Sequence, residues 1–201
     1  MIATHRTLVS PQRCIQDCQN QLQLLDNYLG RGYRILEFGC GLGGNLISIA
    51  ERIERGIGLD VNPGYIRVAD AILRKRMIGN IKFLRYDGVK IPIQDLPEFD
   101  LIFSIGVFER LPKSSVYAYT SQLKQVLKPG GKFLIYLLSE RAKHSNFTRR
   151  LGNDAYVFWS EEEINQFGSL FNLRLIEKLS WPENSFYGHD CAAGSADVLI
   201  L

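Results

Sequence analysis

A glycine-rich segment between two acidic residues is the part of this sequence best suited to chemistry. Gly39, Gly41 and Gly43 follow an apolar stretch that carries Glu37 near its end. Glycines let a ligand approach the backbone closely, and the N–H groups of a following helix favour polar or anionic ligand groups. The next apolar stretch ends in Asp60, where a carboxylate can accept hydrogen bonds from the hydroxyls of a ribose. The pattern predicts a nucleoside-containing ligand.

Two kinds of cofactor fit these residues. Gly39, Gly41 and Gly44 satisfy the G-x-G-x-x-G fingerprint of dinucleotide-binding proteins, and Asp60 fits that fingerprint too. Glu37 argues against a dinucleotide, because a carboxylate at the strand end suits a cationic ligand group and repels a pyrophosphate. The length of 201 residues argues the same way, because a dinucleotide enzyme usually needs a further substrate domain.

The elements that must position these residues alternate along the chain. Short apolar segments alternate with longer amphipathic ones, which predicts a parallel sheet with helices on both faces. The strands are predicted at 33–38, 56–60, 81–86, 99–105, 132–138, 172–179 and 196–201. Helices are predicted at 11–28, at 43–53, at 62–77, from Ser114 or Ser115 to 127, and at 160–170, where Ser160 and Glu163 form a capping-box pair.

Composition narrows the class of protein. The chain is 46% hydrophobic and 22% charged, as in ordinary soluble domains, and no apolar run approaches the roughly 20 residues of a membrane helix. The net charge of +3 does not favour nucleic acid, which calls for clustered basic residues. The four cysteines form no C-x-x-C pair, which predicts reduced thiols, a cytoplasmic location and no metal site.

Five segments, in order, resemble the class I S-adenosylmethionine-dependent methyltransferases over about residues 30–201. They are Glu37-x-Gly39-x-Gly41-x-Gly43, Gly58-Leu59-Asp60-Val61-Asn62, Arg85-Tyr86-Asp87-Gly88, the stretch 99–111, and Leu127-Lys128-Pro129-Gly130-Gly131-Lys132-Phe133. Arg110 departs from the family, because many members that act on small molecules carry histidine after the corresponding glutamate.

The resemblance implies a three-layer, Rossmann-like α/β fold. Its sheet would have seven strands in the order 3-2-1-4-5-7-6, with the last strand antiparallel. Residues 31–201 would form the methyltransferase domain, and residues 1–30 an N-terminal helical cap.

The resemblance also implies S-adenosylmethionine as cofactor and assigns residues to its parts. For the methionine portion, Glu37 would face its amino group, and Gly39, Gly41 and Gly43 would lie under it. For the nucleoside, Asp60 would bind the ribose, Val61 would contact the adenine, and Asp87 and Gly88 would hold the adenine edge. Ser104 and Ile105 would lie beside the cofactor at the end of the fourth strand.

The partner implied is a small-molecule methyl acceptor, with no membrane and no nucleic acid. An anionic acceptor is one hypothesis, since basic residues concentrate in one segment: Arg141, Lys143, His144, Arg149 and Arg150. No catalytic residue is assigned; the candidates for a general base are His144, His189, Tyr28, Tyr187 and Glu109. Two other functions stay open, a nicotinamide-dinucleotide reductase and a non-catalytic subunit that binds adenosylmethionine.

Overall fold

A mixed β-sheet with helices forms the molecule. The computed structural model describes residues 25–140 and 156–173, together with the backbone of 177–180 and 196–200. The strands are β1 Arg34–Phe38, β2 Arg55–Asp60, β3 Ile81–Arg85, β4 Phe99–Ser104, β5 Leu127–Ser139, β6 Phe158–Trp159, β7 Glu177–Ser180 and β8 Ala196–Ile200. The helices are α1 Gly44–Ile49, α2 Pro63–Arg76, α3 Lys113–Leu123 and α4 Glu161–Leu170, with short 3₁₀ turns at Ala50–Arg52, Ile93–Asp95, Phe108–Arg110 and Lys124–Val126.

The order of strands across the sheet is β3-β2-β1-β4-β5-β8-β7. Strands β1 to β5 pair in parallel, and β8 runs antiparallel to both β5 and β7. The sheet has eight strands, so the predicted count of seven is wrong for the described residues. The additional strand, β6, is only two residues long and pairs in parallel with the end of β5, which is too short to produce an alternating pattern in the sequence. The predicted α/β, Rossmann-like class is confirmed.

Successive side chains of β1 belong to different parts of the hydrophobic core, one on each face of the sheet. Ile35 belongs to one hydrophobic cluster, whereas Leu36 and Phe38 belong to another. Successive side chains of a strand point to opposite faces, so Glu37 lies on the face of Ile35. That is also the face of Leu46 in α1, and Glu37 therefore has to be buried against the helix that follows the glycines.

Several boundaries differ from the sequence predictions. Helix α1 ends at Ile49 and continues only as a 3₁₀ turn. Helix α3 begins at Lys113, directly after Pro112, rather than after Ser114 or Ser115. Strand β5 already begins at Leu127, because the predicted turn at Pro129 is taken up as an irregularity in the pairing of β5 with β4.

The predicted helix 11–28 lies almost entirely outside the described residues. Its end is described: the Leu29 N–H donates to the Leu25 carbonyl oxygen at 2.9 Å, and the Leu25 side chain is fully buried. The predicted strand 172–179 is observed as β7 from Glu177, while Asn172 adopts a φ of 50° at the end of α4. None of the helices in the described part of the chain is long and apolar enough to cross a bilayer.

Candidate functional site

Backbone hydrogen bonds fix the loop between β1 and α1 against β2. The N–H groups of Gly39 and Cys40 both donate to the Leu59 carbonyl oxygen, at 2.8 and 3.0 Å. The Gly43 N–H then donates to the Cys40 carbonyl oxygen at 2.8 Å, which closes the turn before α1. The loop is therefore held at the carboxyl ends of two neighbouring parallel strands, where ligands bind in open α/β sheets.

The three glycines of the loop are needed for different reasons. All have a positive φ, of 80° at Gly39, 53° at Gly41 and 77° at Gly43. A Cβ at Gly39 would lie 2.1 Å from the side chain of Val107, and one at Gly43 would lie 2.2 Å from that of Phe83. Nothing lies within 4 Å of a Cβ placed at Gly41. Gly39 and Gly43 are thus required by packing, whereas Gly41 faces open space that a ligand can enter.

Asp60, at the end of β2, joins the glycine loop to the start of α2. Its Oδ2 accepts the Gly41 N–H at 2.9 Å, and its Oδ1 accepts the Asn62 N–H at 2.8 Å. Asn62 in turn caps α2 by accepting the Gly64 N–H at 2.8 Å. The sequence suggested only a ligand role for Asp60, because its bond to Gly41 spans 19 residues and depends on the pairing of β1 with β2. A carboxylate has about four acceptor positions, so two backbone donors leave capacity for ligand hydroxyls.

Glu37 is a buried carboxyl next to the same loop. Its side chain is 3% exposed, its Oε1 accepts the Asn45 Nδ2 amide at 2.8 Å, and its Oε2 has no hydrogen-bond partner among the described residues. Burial is the main cause that raises the pKa of Glu37 to about 8, and the nearby Asp60 carboxylate adds to it, while the bond from Asn45 acts in the opposite direction.

Val61 and Gly88 lie beside each other at the ends of β2 and β3. Val61 is 40% exposed, and its Cγ1 lies 3.5 Å from a Cβ placed at Gly88. Asp87 is exposed, and its Oδ1 accepts the N–H groups of Val89 and Lys90, each at 2.8 Å. These two bonds are the main cause that lowers the pKa of Asp87. An apolar surface, at Val61, and a carboxylate, at Asp87, thus lie side by side. A heteroaromatic ring requires the first for its face and the second for its edge.

The predicted residues at the end of β4 are part of the interior. The Ser104 hydroxyl donates to the Phe38 carbonyl oxygen at 3.0 Å and is fully buried, and Ile105 is 7% exposed. The side chain of Ser104 therefore links β4 to β1. The loop that follows is nevertheless close to the site, since Val107 is in contact with Gly39.

A second buried carboxyl, Glu109, lies in the 3₁₀ turn after β4. It is 1% exposed, its Oε1 is 3.9 Å from the Arg110 Nε, and its Oε2 has no hydrogen-bond partner in the described part of the chain. Burial raises the pKa of Glu109 to about 7. Its backbone carbonyl accepts the Val157 N–H at 2.7 Å, and Arg110 Nη2 donates to the Tyr156 hydroxyl at 3.2 Å. The sequence named Glu109 as a possible base, but its burial is visible only in the fold.

Of the other candidates for a base, Tyr28 falls within the described residues. Tyr28 is 7% exposed in the core, and its ring lies 5.9 Å from Lys132 Nζ, in the first half of β5. His144, His189, Tyr187 and the basic residues of 141–150 lie outside the described residues. Cys40 is a buried free thiol, and burial raises its pKa. Within the described ranges, no three metal-ligating side chains come together.

Known proteins share both the sequence pattern and the fold. Residues 35–131 match the methyltransferase-domain family. The chain is 33% identical over 133 residues to a ubiquinone/menaquinone biosynthesis C-methyltransferase of Azotobacter vinelandii, an alignment that covers 64% of this chain and 50% of that protein. It is 28% identical over 136 residues to a fatty-acid O-methyltransferase of Mycolicibacterium smegmatis, with 67% and 47% covered. The chain thus spans about half the length of these curated relatives.

The fold is also that of a solved methyltransferase. The magnesium protoporphyrin IX methyltransferase of Synechocystis PCC 6803, solved with bound SAH, superposes with a TM-score of 0.68 at 15% identity, covering 94% of this chain and 82% of that one. This α/β fold holds the glycine loop and Asp60 together at the carboxyl ends of β1 and β2. The match over residues 35–131, the curated relatives and the shared fold support a class I S-adenosylmethionine-dependent methyltransferase domain. The match to the methyltransferase-domain family supports an enzyme with S-adenosylmethionine as cofactor, and the Synechocystis protein of the same fold was solved with bound SAH.

Proposed function

We propose that this chain transfers a methyl group from S-adenosylmethionine to a small-molecule acceptor. The observation that carries the proposal is the Asp60 carboxylate, which holds Gly41 beside open space at the carboxyl ends of β1 and β2. Residues 31–201 would form the catalytic domain, with residues 1–30 as a helical cap.

The geometry supports a definite placement of the cofactor. Asp60 has acceptor capacity left for the ribose hydroxyls, and Gly41 leaves room for the methionine portion between Gly39 and Gly43. The Oε2 of Glu37 has no hydrogen-bond partner in the part of the chain that the structure describes, which suits the positive charge of the methionyl amino group.

The adenine end of the cofactor follows from the neighbouring strands. The exposed side chain of Val61 would contact the ring face, and Asp87 with Gly88 would hold the ring edge. Ser104 is occupied inside the sheet, so Ser104 and Ile105 would border the cofactor through their backbone and through the loop that follows.

When bound, S-adenosylmethionine supplies an activated methyl group for in-line displacement by an acceptor atom. The residues of this chain then have to orient the two reactants and exclude water, which accounts for much of such catalysis. Glu109 lies at the carboxyl end of β4, on the edge of the sheet where an acceptor would enter, and its raised pKa would let it take up a proton near neutral pH.

The acceptor class rests on the relatives. The two curated relatives are named for ubiquinone/menaquinone biosynthesis and for fatty-acid O-methylation, and we propose a small-molecule acceptor for this chain as well. An anionic group on it would be met by the basic residues of segment 141–150. Neutralising Arg149 and Arg150 should then raise the KM for the acceptor, and an unchanged KM would contradict the anionic choice.

Two measurements test the proposal. Isothermal titration should show that S-adenosylhomocysteine binds and that NAD does not. Transfer of a radiolabelled methyl group to a panel of fatty acids, phenols and quinols should then show turnover. Binding without turnover across a broad metabolite panel would favour a non-catalytic adenosylmethionine-binding subunit, and absence of binding would refute the proposal.

A further inference from the structure

Glu37 and Asn45 form a buried polar pair under the glycine loop. Glu37 is the next-to-last residue of β1 and Asn45 lies in the first turn of α1, with side chains 3% and 6% exposed. The amide Nδ2 of Asn45 donates to Glu37 Oε1 at 2.8 Å. The bond spans the loop from strand to helix, so it fixes the orientation of the carboxyl group relative to the start of α1.

The surroundings of Glu37 contain no cation to balance a negative charge among the described residues. The titratable neighbours are the Asp60 carboxylate and the Cys40 thiol, and both oppose ionisation or stay neutral. The Leu46 backbone N–H and the Asn45 amide favour the ionised form. Two neutral donors do not compensate for burial, because a buried charge needs an opposite charge or a full set of hydrogen bonds.

We propose that Asn45 is a positioning residue for Glu37, and that binding of the cofactor drives a proton from the Glu37 carboxyl into solvent. This inference rests on the proposed placement of the methionyl ammonium group near Glu37. The O–H bond of Glu37 breaks, the proton leaves with the solvent, and the ammonium charge balances the carboxylate that remains. No other bond forms or breaks.

Direct contact with the ammonium group is not required for this coupling. A positive charge about 5 Å away, at an effective dielectric constant of about 20, is strong enough to ionise most of a carboxyl with the pKa of Glu37 at pH 7. Because burial raises the pKa of Glu37 to about 8, the carboxyl is mostly protonated at pH 7 before binding, and binding should release up to about one proton per ligand.

Titration of two ligands measures this proton directly. S-adenosylhomocysteine carries the α-ammonium group, whereas 5′-methylthioadenosine has the same nucleoside and sulfur without the amino-acid portion. Calorimetry at pH 7 in phosphate and in Tris, which differ in ionisation enthalpy, should give release of up to about one proton for the first ligand and none for the second. Equal proton release by both ligands, or none by either, would overturn the inference.

Variants separate positioning from structural support. Asn45→Ala removes the donor to Glu37 and should weaken binding of S-adenosylhomocysteine at pH 7 about tenfold, since hydrogen bonds to charged groups contribute about 1.5–3 kcal/mol. Binding of 5′-methylthioadenosine should stay the same. Asn80→Ala is the matched control, because Asn80 Nδ2 donates to the Ala50 and Ile53 carbonyls. This variant measures how the loss of an amide with a structural role affects ligand binding. A loss of affinity for both ligands in Asn45→Ala would show a merely structural role.

The pH profile provides an independent readout. Between pH 6 and 7.5 the affinity of the wild-type chain for S-adenosylhomocysteine should increase up to about tenfold per pH unit, because only the ionised Glu37 is competent. In Glu37→Gln this dependence and the released proton should both disappear. If the variants fail to fold, the proton count of the wild-type chain decides alone. If the wild-type chain binds S-adenosylhomocysteine without releasing a proton, this inference fails while the proposed function stands.

Discussion

Replacing Asp60 with asparagine is the most direct test of the proposed cofactor site. Asp60→Asn preserves the shape of the side chain and one oxygen acceptor but removes the negative charge. The remaining oxygen can accept either the Gly41 or the Asn62 N–H, which lie 2.9 and 2.8 Å from different oxygens of the carboxylate. The variant therefore loses one loop bond together with the charge-assisted bonds to the ribose.

The two losses have different expected magnitudes. One unsatisfied, nearly buried N–H should reduce the free energy of unfolding by about 1–3 kcal/mol. Loss of charge-assisted hydrogen bonds to the ribose, at about 1.5–3 kcal/mol each, should weaken binding of S-adenosylhomocysteine at least about tenfold. Asp60→Ala removes both acceptors and should be less stable than Asp60→Asn, with a similar or larger loss of affinity.

Urea unfolding and isothermal titration measure these effects separately. The matched control is Asp95→Ala, which removes an exposed aspartate from the 3₁₀ turn Ile93–Asp95 and should change neither quantity. Full affinity in Asp60→Asn would refute the assignment of the ribose to this carboxylate. An unchanged unfolding free energy would refute the structural role of the Gly41 and Asn62 bonds.

Three further substitutions have outcomes set by geometry. Gly43→Ala should be more destabilising than Gly41→Ala in urea unfolding, because its Cβ would meet Phe83 at 2.2 Å while that of Gly41 meets open space, and overpacking costs about 1–3 kcal/mol. Burial raises the pKa of Glu109 from its ordinary value of 4.5 to about 7, so between these pH values the folded chain keeps a proton that the unfolded chain has lost. The unfolding free energy should fall as pH rises through this window, with up to about 3 kcal/mol of the fall coming from Glu109, and Glu109→Gln should remove that part while the contribution of Glu37, whose pKa is raised to about 8, remains. Ser160→Ala removes the capping box of α4 and should lower stability by about 0.5–2 kcal/mol.

Each of these substitutions has an outcome that contradicts the structure. Equal destabilisation by alanine at both glycines would mean that the Phe83 contact does not restrict the loop. A thermal midpoint that depends on pH in Glu109→Gln as strongly as in the wild-type chain would assign the effect to other groups. A capping variant as stable as the wild type would show that α4 does not depend on its first turn.

Local patterns in the sequence were sufficient to predict most of the described helices and strands and to nominate residues for the site. The acid–glycine spacing after β1 and the acid at the end of β2 are short-range features of a strand–turn–helix unit. The capping box of Ser160 and Glu163 was likewise predicted and is confirmed in full. Such features depend on neighbouring residues and on backbone geometry, so a linear sequence contains them.

The tertiary structure decided which of these groups are buried and what they contact. The sequence nominated Glu37 as a ligand residue and Glu109 as a possible base, but only the packing of distant segments removes both from water and raises each pKa. The bond from Asp60 to Gly41 and the contact of Val107 with Gly39 join residues 19 or more positions apart. Burial and electrostatic coupling depend on distances in space between remote parts of the chain, and those distances exist only once the sheet has formed.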